Sequence, residues 1–209
     1  MTISNRLTPL LLALGLAAGA GSAALAATAV VGQPAPAFNA TDANGKPVSL
    51  GDLKGKTLVL EWVNPECPYV RKHYDSANMQ ATQKAATAKG VVWLSVNSTH
   101  ASHGDFKKPT EMAAWTQKQG AAPTATLMDG EGRIGRVYGA RTTPHMYIID
   151  AKGTLVYAGG IDDKPSANPA DTKTAKNFVN AALADVLGGK PVAQAVTRPY
   201  GCSVKYSDG

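Results

Sequence analysis

Apolar residues recur along this chain at two spacings, and the alternation between them predicts a strand–helix–strand order. Residues 57–63 form a short apolar run, β-branched in part, and are read as the first central strand. Residues 91–96 are almost continuously apolar, the pattern of a strand covered on both faces. Residues 124–128 form a third strand. Residues 146–149 and 154–157, joined by Asp150-Ala151-Lys152-Gly153, form a hairpin. Ahead of them, residues 38–41 and 47–50 flank Asp42-Ala43-Asn44-Gly45, whose Asn-Gly pair is a hairpin turn signal. The Pro-punctuated residues 31–36 are an extended lead-in, and residues 50–56 a loop.

Between the strands the spacing becomes helical. Residues 67–89, rich in Ala, Gln and Lys, predict one helix closed by Gly90 at a left-handed cap. A second helix runs over residues 110–119, with Thr110 as N-cap, Pro109 before it and Gly120 after it. Residues 133–138 lead to a corner at Arg141-Thr142-Thr143-Pro144. Asn168 and Pro169 start a last helix whose stripe is Ala175, Phe178, Val179, Ala182, Leu183, Val186 and Leu187, and Gly188-Gly189 ends it. The tail after Lys190 has no periodicity. This order places the chain in the α/β class, where several doubly wound folds share it.

The first residues do not belong to that domain. Arg6 precedes an apolar run over residues 7–20, and small residues follow, ending Ala24-Leu25-Ala26-Ala27. That pattern is a secretory leader over residues 1–26, cleaved after Ala26 or Ala27. The run is too short and too diluted with Gly and Ala to anchor in a bilayer. Its removal from 209 residues leaves about 180, enough for one domain over residues 31–190 with a substantial core and a tail over residues 191–209. The mature chain is expected in an exported compartment, most simply a bacterial periplasm, free of the membrane. The net charge of +6 is spread along the chain without a dense Lys/Arg block, so nucleic acid is not the expected partner.

Both cysteines, Cys67 and Cys202, lie in the mature part. In an oxidising compartment two cysteines form either a permanent staple or a redox pair. A staple over so long a loop would contribute about 5 kcal/mol on the chain-entropy model. Cys67 follows a strand and opens a helix, where the helix dipole and free N–H groups favour thiolate. Pro68 suits the first helical turn. Arg71, one turn on, adds positive charge and Glu66 opposes it. Cys202 would act as resolving thiol only if its Cα came within about 7 Å of that of Cys67. His100 and His103 share a loop and are weak candidates for a copper site with Cys67, though two loop histidines are more often surface residues, and no metal is expected. His73 lies on the Cys67 helix, angularly further from the sulfur than Arg71. No nucleotide or flavin signature is present, so no cofactor is expected and electrons would arrive through thiols.

The run from Trp62 to Cys67-Pro68, the Arg141-Thr142-Thr143-Pro144 corner and the segment Pro199-Tyr200-Gly201-Cys202 resemble thioredoxin-fold redoxin-domain proteins. Within them the resemblance is to the peroxiredoxin-like branch of the alkyl hydroperoxide reductase and thiol-specific antioxidant superfamily, over about residues 31–205. It implies a thioredoxin-like fold, a central mixed sheet flanked by helices with an N-terminal β extension. It implies a redox-active Cys67 and a cis Pro144, with the backbone at Thr143 pairing with substrate. Two departures matter. The local second cysteine is missing from Cys67-Pro68-Tyr69-Val70. Asn64 and Pro144 also stand where peroxiredoxins carry a threonine or serine and an arginine, a loss for which Arg71 or Arg141 could partly substitute. Three readings follow: a thiol-disulfide oxidoreductase acting on protein or small-molecule thiols and disulfides, a thiol peroxidase acting on hydroperoxides, or a non-catalytic binding protein with a structural disulfide.

Overall fold

The computed structural model describes residues 1–2 and 28–207, so the leader and its cleavage sites lie outside the described residues. In the Asp42–Gly45 turn the Asp42 carboxylate accepts the N–H groups of Asn44 and Lys46, and Gly45 takes φ 81. That turn joins β1 (Asn39–Asp42) to β2 (Pro47–Ser49). β3 (Leu58–Trp62) follows and is buried at every position. The chain then runs through α1 (Pro68–Asp75), α2 (Asn78–Thr87), β4 (Val92–Asn97), α3 (Pro109–Lys118), β5 (Ala125–Met128) and α4 (Arg133–Tyr138). After the short β6 (Thr142–Thr143) come the hairpin of β7 (His145–Ile149) and β8 (Leu155–Gly159), α5 (Phe178–Leu187), and finally β9 (Cys202–Ser203).

The main sheet has seven strands in the order β2-β1-β5-β4-β3-β7-β8. β3, β4 and β5 are parallel, and β7 runs antiparallel to β3. The N-terminal hairpin extends the sheet beyond β5. Period-two alternation sorts the side chains into two cores. Leu58, Leu60 and Trp62 join Leu94, Val96, Tyr138 and Tyr147 on one face. Val59, Val63 and Cys67 join Tyr74, Trp93, Met112 and Val179 on the other. No helix among the described residues is long and apolar enough to cross a membrane.

Four sequence expectations are corrected. The helix over residues 67–89 is two helices, because Ala77 is left-handed (φ 58) and the Ser76 hydroxyl donates to the Lys72 carbonyl. The break turns Asn78 onto His73 and lets the Gln80 amide take the Tyr74 carbonyl. Helix α3 is capped two residues earlier than expected: Lys108 is the N-cap, Pro109 takes the first position, and Glu111 accepts the Lys108 N–H at 2.7 Å. Residues 133–138 are a short helix between two left-handed glycines, Gly132 and Gly139. Asn168 caps only a 3-10 turn (Pro169–Lys173), whereas α5 starts at Asn177, whose side chain accepts the Asn180 N–H. Ala175 therefore lies outside α5, and Leu187 is exposed.

One polar group inside the second core matters for stability. The Glu61 carboxylate is fully buried and accepts from Tyr74 (2.8 Å), Gln83 (3.0 Å), Trp93 (2.7 Å) and Ser95 (3.1 Å). Burial raises its pKa, and the four donors offset part of that. They tie β3 and β4 to α1 and α2. Glu61→Ala leaves those donors without an acceptor, each worth about 1–3 kcal/mol when buried and unsatisfied. Urea unfolding should show the variant less stable by about 3 kcal/mol or more, and Glu61→Gln less affected.

Candidate active site

The turn before Cys67 is built by Asn64. Its side-chain oxygen accepts the Glu66 N–H at 2.8 Å, its carbonyl accepts the Cys67 N–H at 3.1 Å, and its amide donates to Asp105 at 3.2 Å. Cys67 is then the N-cap of α1 with extended backbone, and Pro68 takes the first helical turn. Cys67 is 1% exposed. Its S–H donates to the Thr143 carbonyl at 3.0 Å, and the Cys202 sulfur lies 2.7 Å away, with both cysteines as free thiols. The Thr143–Pro144 peptide bond is cis.

Cys202 reaches this point because the tail is tied down along its course. Val196 pairs with Ala158 beside β8, and the Thr197 hydroxyl accepts the Gly160 N–H. The Tyr200 ring stacks edge-on against Tyr69, 5.9 Å between centroids. Thr143 and Cys202 are then directly opposite in the β6–β9 pair. Gly201 makes that approach sterically feasible: it has φ 138, and a Cβ there would lie 2.0 Å from the Thr143 carbonyl oxygen. Beyond Cys202, Tyr206 packs over Gly132 and Gly135, and its hydroxyl donates to the Ala140 carbonyl.

The tail's deepest anchor was not foreseen. Lys72 is wholly buried, and its ammonium meets Asp162 (3.3 Å), the Lys164 carbonyl (2.6 Å) and the Tyr200 hydroxyl (3.0 Å). Tyr200 gives its single hydrogen to Asp162, so its lone pairs accept from Lys72 and from His73 Nε2. That leaves His73 Nδ1 to accept from the Asn78 amide. Burial pushes His73 down to about 4, against the pull of Asp162. Burial and the adjacent Cys67 push the Cys202 thiol up to about 12. Tyr200 and Gly201 belong to the recognised tail segment, but nothing local marks Lys72 or Asp162 as their partners.

The other predicted residues are distributed as follows. Arg71 is bonded to neither sulfur: it meets Glu66 at 3.2 Å and the Pro65 carbonyl at 3.3 Å. Lys107 also holds Glu66, at 2.7 Å, and the two cations keep that carboxyl below its usual range. Trp62 lies in the core opposite Cys67, donating to Ser98 and packing on Tyr138 and Tyr147. The side chain of Arg141 is exposed, while its carbonyl accepts the Val204 N–H. His100 bonds to Ser102, and His103 lies 3.8 Å from Asp105. Among the described residues, no group of three or more His, Cys, Asp or Glu is arranged to hold a metal ion. A cleft of about 790 Å³ runs along the tail, lined in part by Tyr69, Thr142, Phe178, Pro199 and Gly201.

Residues 31–158 match the AhpC/TSA family. The chain is 30% identical over 127 residues to the thiol-disulfide oxidoreductase ResA of Bacillus subtilis, covering 55% of this chain and 70% of that one. It is 27% identical over 143 residues to the thiol:disulfide interchange protein DsbE of Yersinia pestis, covering 66% and 69%. Among solved structures, an uncharacterized conserved protein from Geobacillus kaustophilus aligns with a TM-score of 0.75 at 27% identity, over 86% of this chain and 94% of that one. A putative thiol:disulfide interchange protein DsbE from Chlorobium tepidum aligns at 0.52 and 24% identity, over 70% and 93%. The fold is the thioredoxin-like α/β arrangement, a mixed sheet flanked by helices.

Two outcomes test this geometry. Gly201→Ala should lift the tail off the Thr143 carbonyl, slowing Cys67–Cys202 bond formation by about tenfold or more and opening residues 191–207 to limited proteolysis. Because His73 titrates near 4 in the fold against 6.5 ordinarily, the unfolded chain binds more protons between those values. Stability should therefore fall on acidification from about pH 6.5 to about pH 4, by at most about 1.4 kcal/mol per pH unit from this one group. Melting temperatures across that range should show a shallower slope for His73→Gln.

Proposed function

The chain belongs to the AhpC/TSA family, and on that premise we propose that it is an exported thiol-disulfide oxidoreductase cycling Cys67 and Cys202 between dithiol and disulfide. The observation that carries this reading is the meeting of two thiols 135 residues apart, their sulfurs 2.7 Å from one another. A disulfide needs about 2.05 Å between sulfurs, so closing the bond requires only a small shift. Oxidation joins the two sulfurs and passes two electrons and two protons to an external disulfide, and reduction by external thiols reverses it. The relatives named as thiol-disulfide oxidoreductase and thiol:disulfide interchange protein support the same chemistry.

The tail's independent anchoring supports a redox pair over a staple. Tyr200, Tyr206 and the β6–β9 pair hold residues 191–207 without a covalent bond, so fold integrity does not require the disulfide. The groups around Cys67 favour exchange over peroxide reduction. Asn64 spends its side chain on the turn, Arg71 pairs with Glu66 at the surface and the Arg141 side chain is exposed, which counts against a group poised to polarise a peroxide. On this reading residues 1–26 direct export, residues 31–190 are the redox domain, and residues 191–209 deliver the second sulfur. The backbone beside Pro144 would receive a partner segment once Thr143 is uncovered.

Free-thiol counting during a redox titration tests the proposal. The wild type should show a two-electron Cys67–Cys202 couple with a midpoint above about −300 mV. Cys67→Ser and Cys202→Ser should each abolish that couple and lower disulfide transfer to a reduced test protein by about 100-fold or more. A bond that resists reduction well below that potential, with activity absent in the wild type, would make the pair structural and end this reading.

A further inference from the structure

Resting on the disulfide-exchange reading, we infer that Cys202, delivered by the tail, carries the mixed disulfide with external thiols, and that Cys67 is the enclosed partner that leaves and returns. This reverses the order expected from sequence, where Cys67 attacks first. Access supports the reversal. Cys67 is 1% exposed and lies in the core with Val63, Val70 and Met146. Its open directions are taken by the Thr143 carbonyl and by Cys202 itself. An external thiolate must approach a disulfide roughly along the S–S axis, from behind the sulfur it attacks. Behind Cys67 lies packed protein, whereas Cys202 is only partly buried at the surface end of the pair.

The leaving group favours the same order. Attack on Cys67 would expel Cys202, whose thiol is pushed up by burial. Such a thiolate leaves slowly. Attack on Cys202 instead expels Cys67, which already sits at the N-cap of α1 beside the Thr143 carbonyl. After taking a proton, Cys67 donates to the Thr143 carbonyl, as it does in the dithiol described above.

The step balances as follows. An external thiolate attacks the Cys202 sulfur of the oxidised pair, the Cys67–Cys202 bond breaks, and Cys67 departs with the bonding electrons. A second external thiolate then attacks the external sulfur of the mixed disulfide and frees Cys202, which takes a proton. Two thiols become one disulfide and the protein gains two electrons. The reverse sequence reduces an external disulfide.

The test uses the full mature chain with glutathione as probe. Oxidised wild type is mixed briefly with glutathione, quenched in acid, alkylated in denaturant and mapped by mass spectrometry. Glutathione should be found on Cys202 over Cys67 by about tenfold or more. As a second measurement, Cys202→Ser and Cys67→Ser react with dithiodipyridine, folded and in guanidinium. Folding should slow the remaining Cys67 by about 100-fold or more and the remaining Cys202 by about tenfold or less. Glutathione recovered mainly or equally on Cys67, or a Cys67 no better protected by folding than Cys202, overturns the assignment and leaves the oxidoreductase reading intact. A wild type in which glutathione and glutathione disulfide neither break nor form the Cys67–Cys202 bond overturns both.

Discussion

The site depends on a lysine that has nowhere else to go. Lys72 is enclosed on every side, and its ammonium is matched only by Asp162, a carbonyl and the Tyr200 hydroxyl. Removing one partner of a buried charge costs about 3–5 kcal/mol, because the remaining charge is left unsolvated. Tyr200 is thereby held in the body of the domain although it belongs to the tail. One glycine later, the chain carries Cys202 to within bonding reach of Cys67. The polar cluster contains neither sulfur, yet it sets where one of them can be.

A second constraint works from below. The turn at Asn64 and the parallel pairing of β3 with β4 bring the start of α1 to the C-terminal end of the sheet. The corner between β6 and β7 arrives at the same end from the antiparallel side. The Thr143 carbonyl therefore faces Cys67 while the Thr143 backbone pairs with Cys202. One residue thus registers both thiols. Glu61 holds α1 and α2 to the sheet through Tyr74 and Gln83 and bonds the neighbouring β4 through Trp93 and Ser95.

Most of the architecture was legible along the chain. The strands of the main sheet, both hairpins and the capping glycine at Gly90 follow from short-range rules of alternation, turn chemistry and left-handed backbone, whereas the β6–β9 pair does not. So did the position of Cys67 ahead of Pro68 at a helix start. Reading failed where two local options were nearly equal. Ala77 is a strong helix former, yet it takes a left-handed backbone, and the break leaves the Gln80 amide bonded to the Gln119 carbonyl, a contact no local rule shows. Arg71 was expected at the sulfur because helical rotation alone favours it, but Glu66 and the Pro65 carbonyl offer it better-solvated partners. Trp62 sits on the sheet face opposite Cys67, a consequence of strand alternation that its nearness in sequence conceals.

By itself the sequence determined the order of elements, the period-two split of the central strand, and a cysteine at the junction of a strand and a helix. Those properties depend on neighbours within a few residues, where backbone sterics and hydrophobic period dominate. Only the tertiary structure decided that Lys72 would be buried and matched, that Gly201 would lie against Thr143, and that Cys202 would face Cys67. These outcomes join groups 58 to 135 residues apart. A buried charge can be satisfied by any partner the fold brings to it, and no local pattern specifies which.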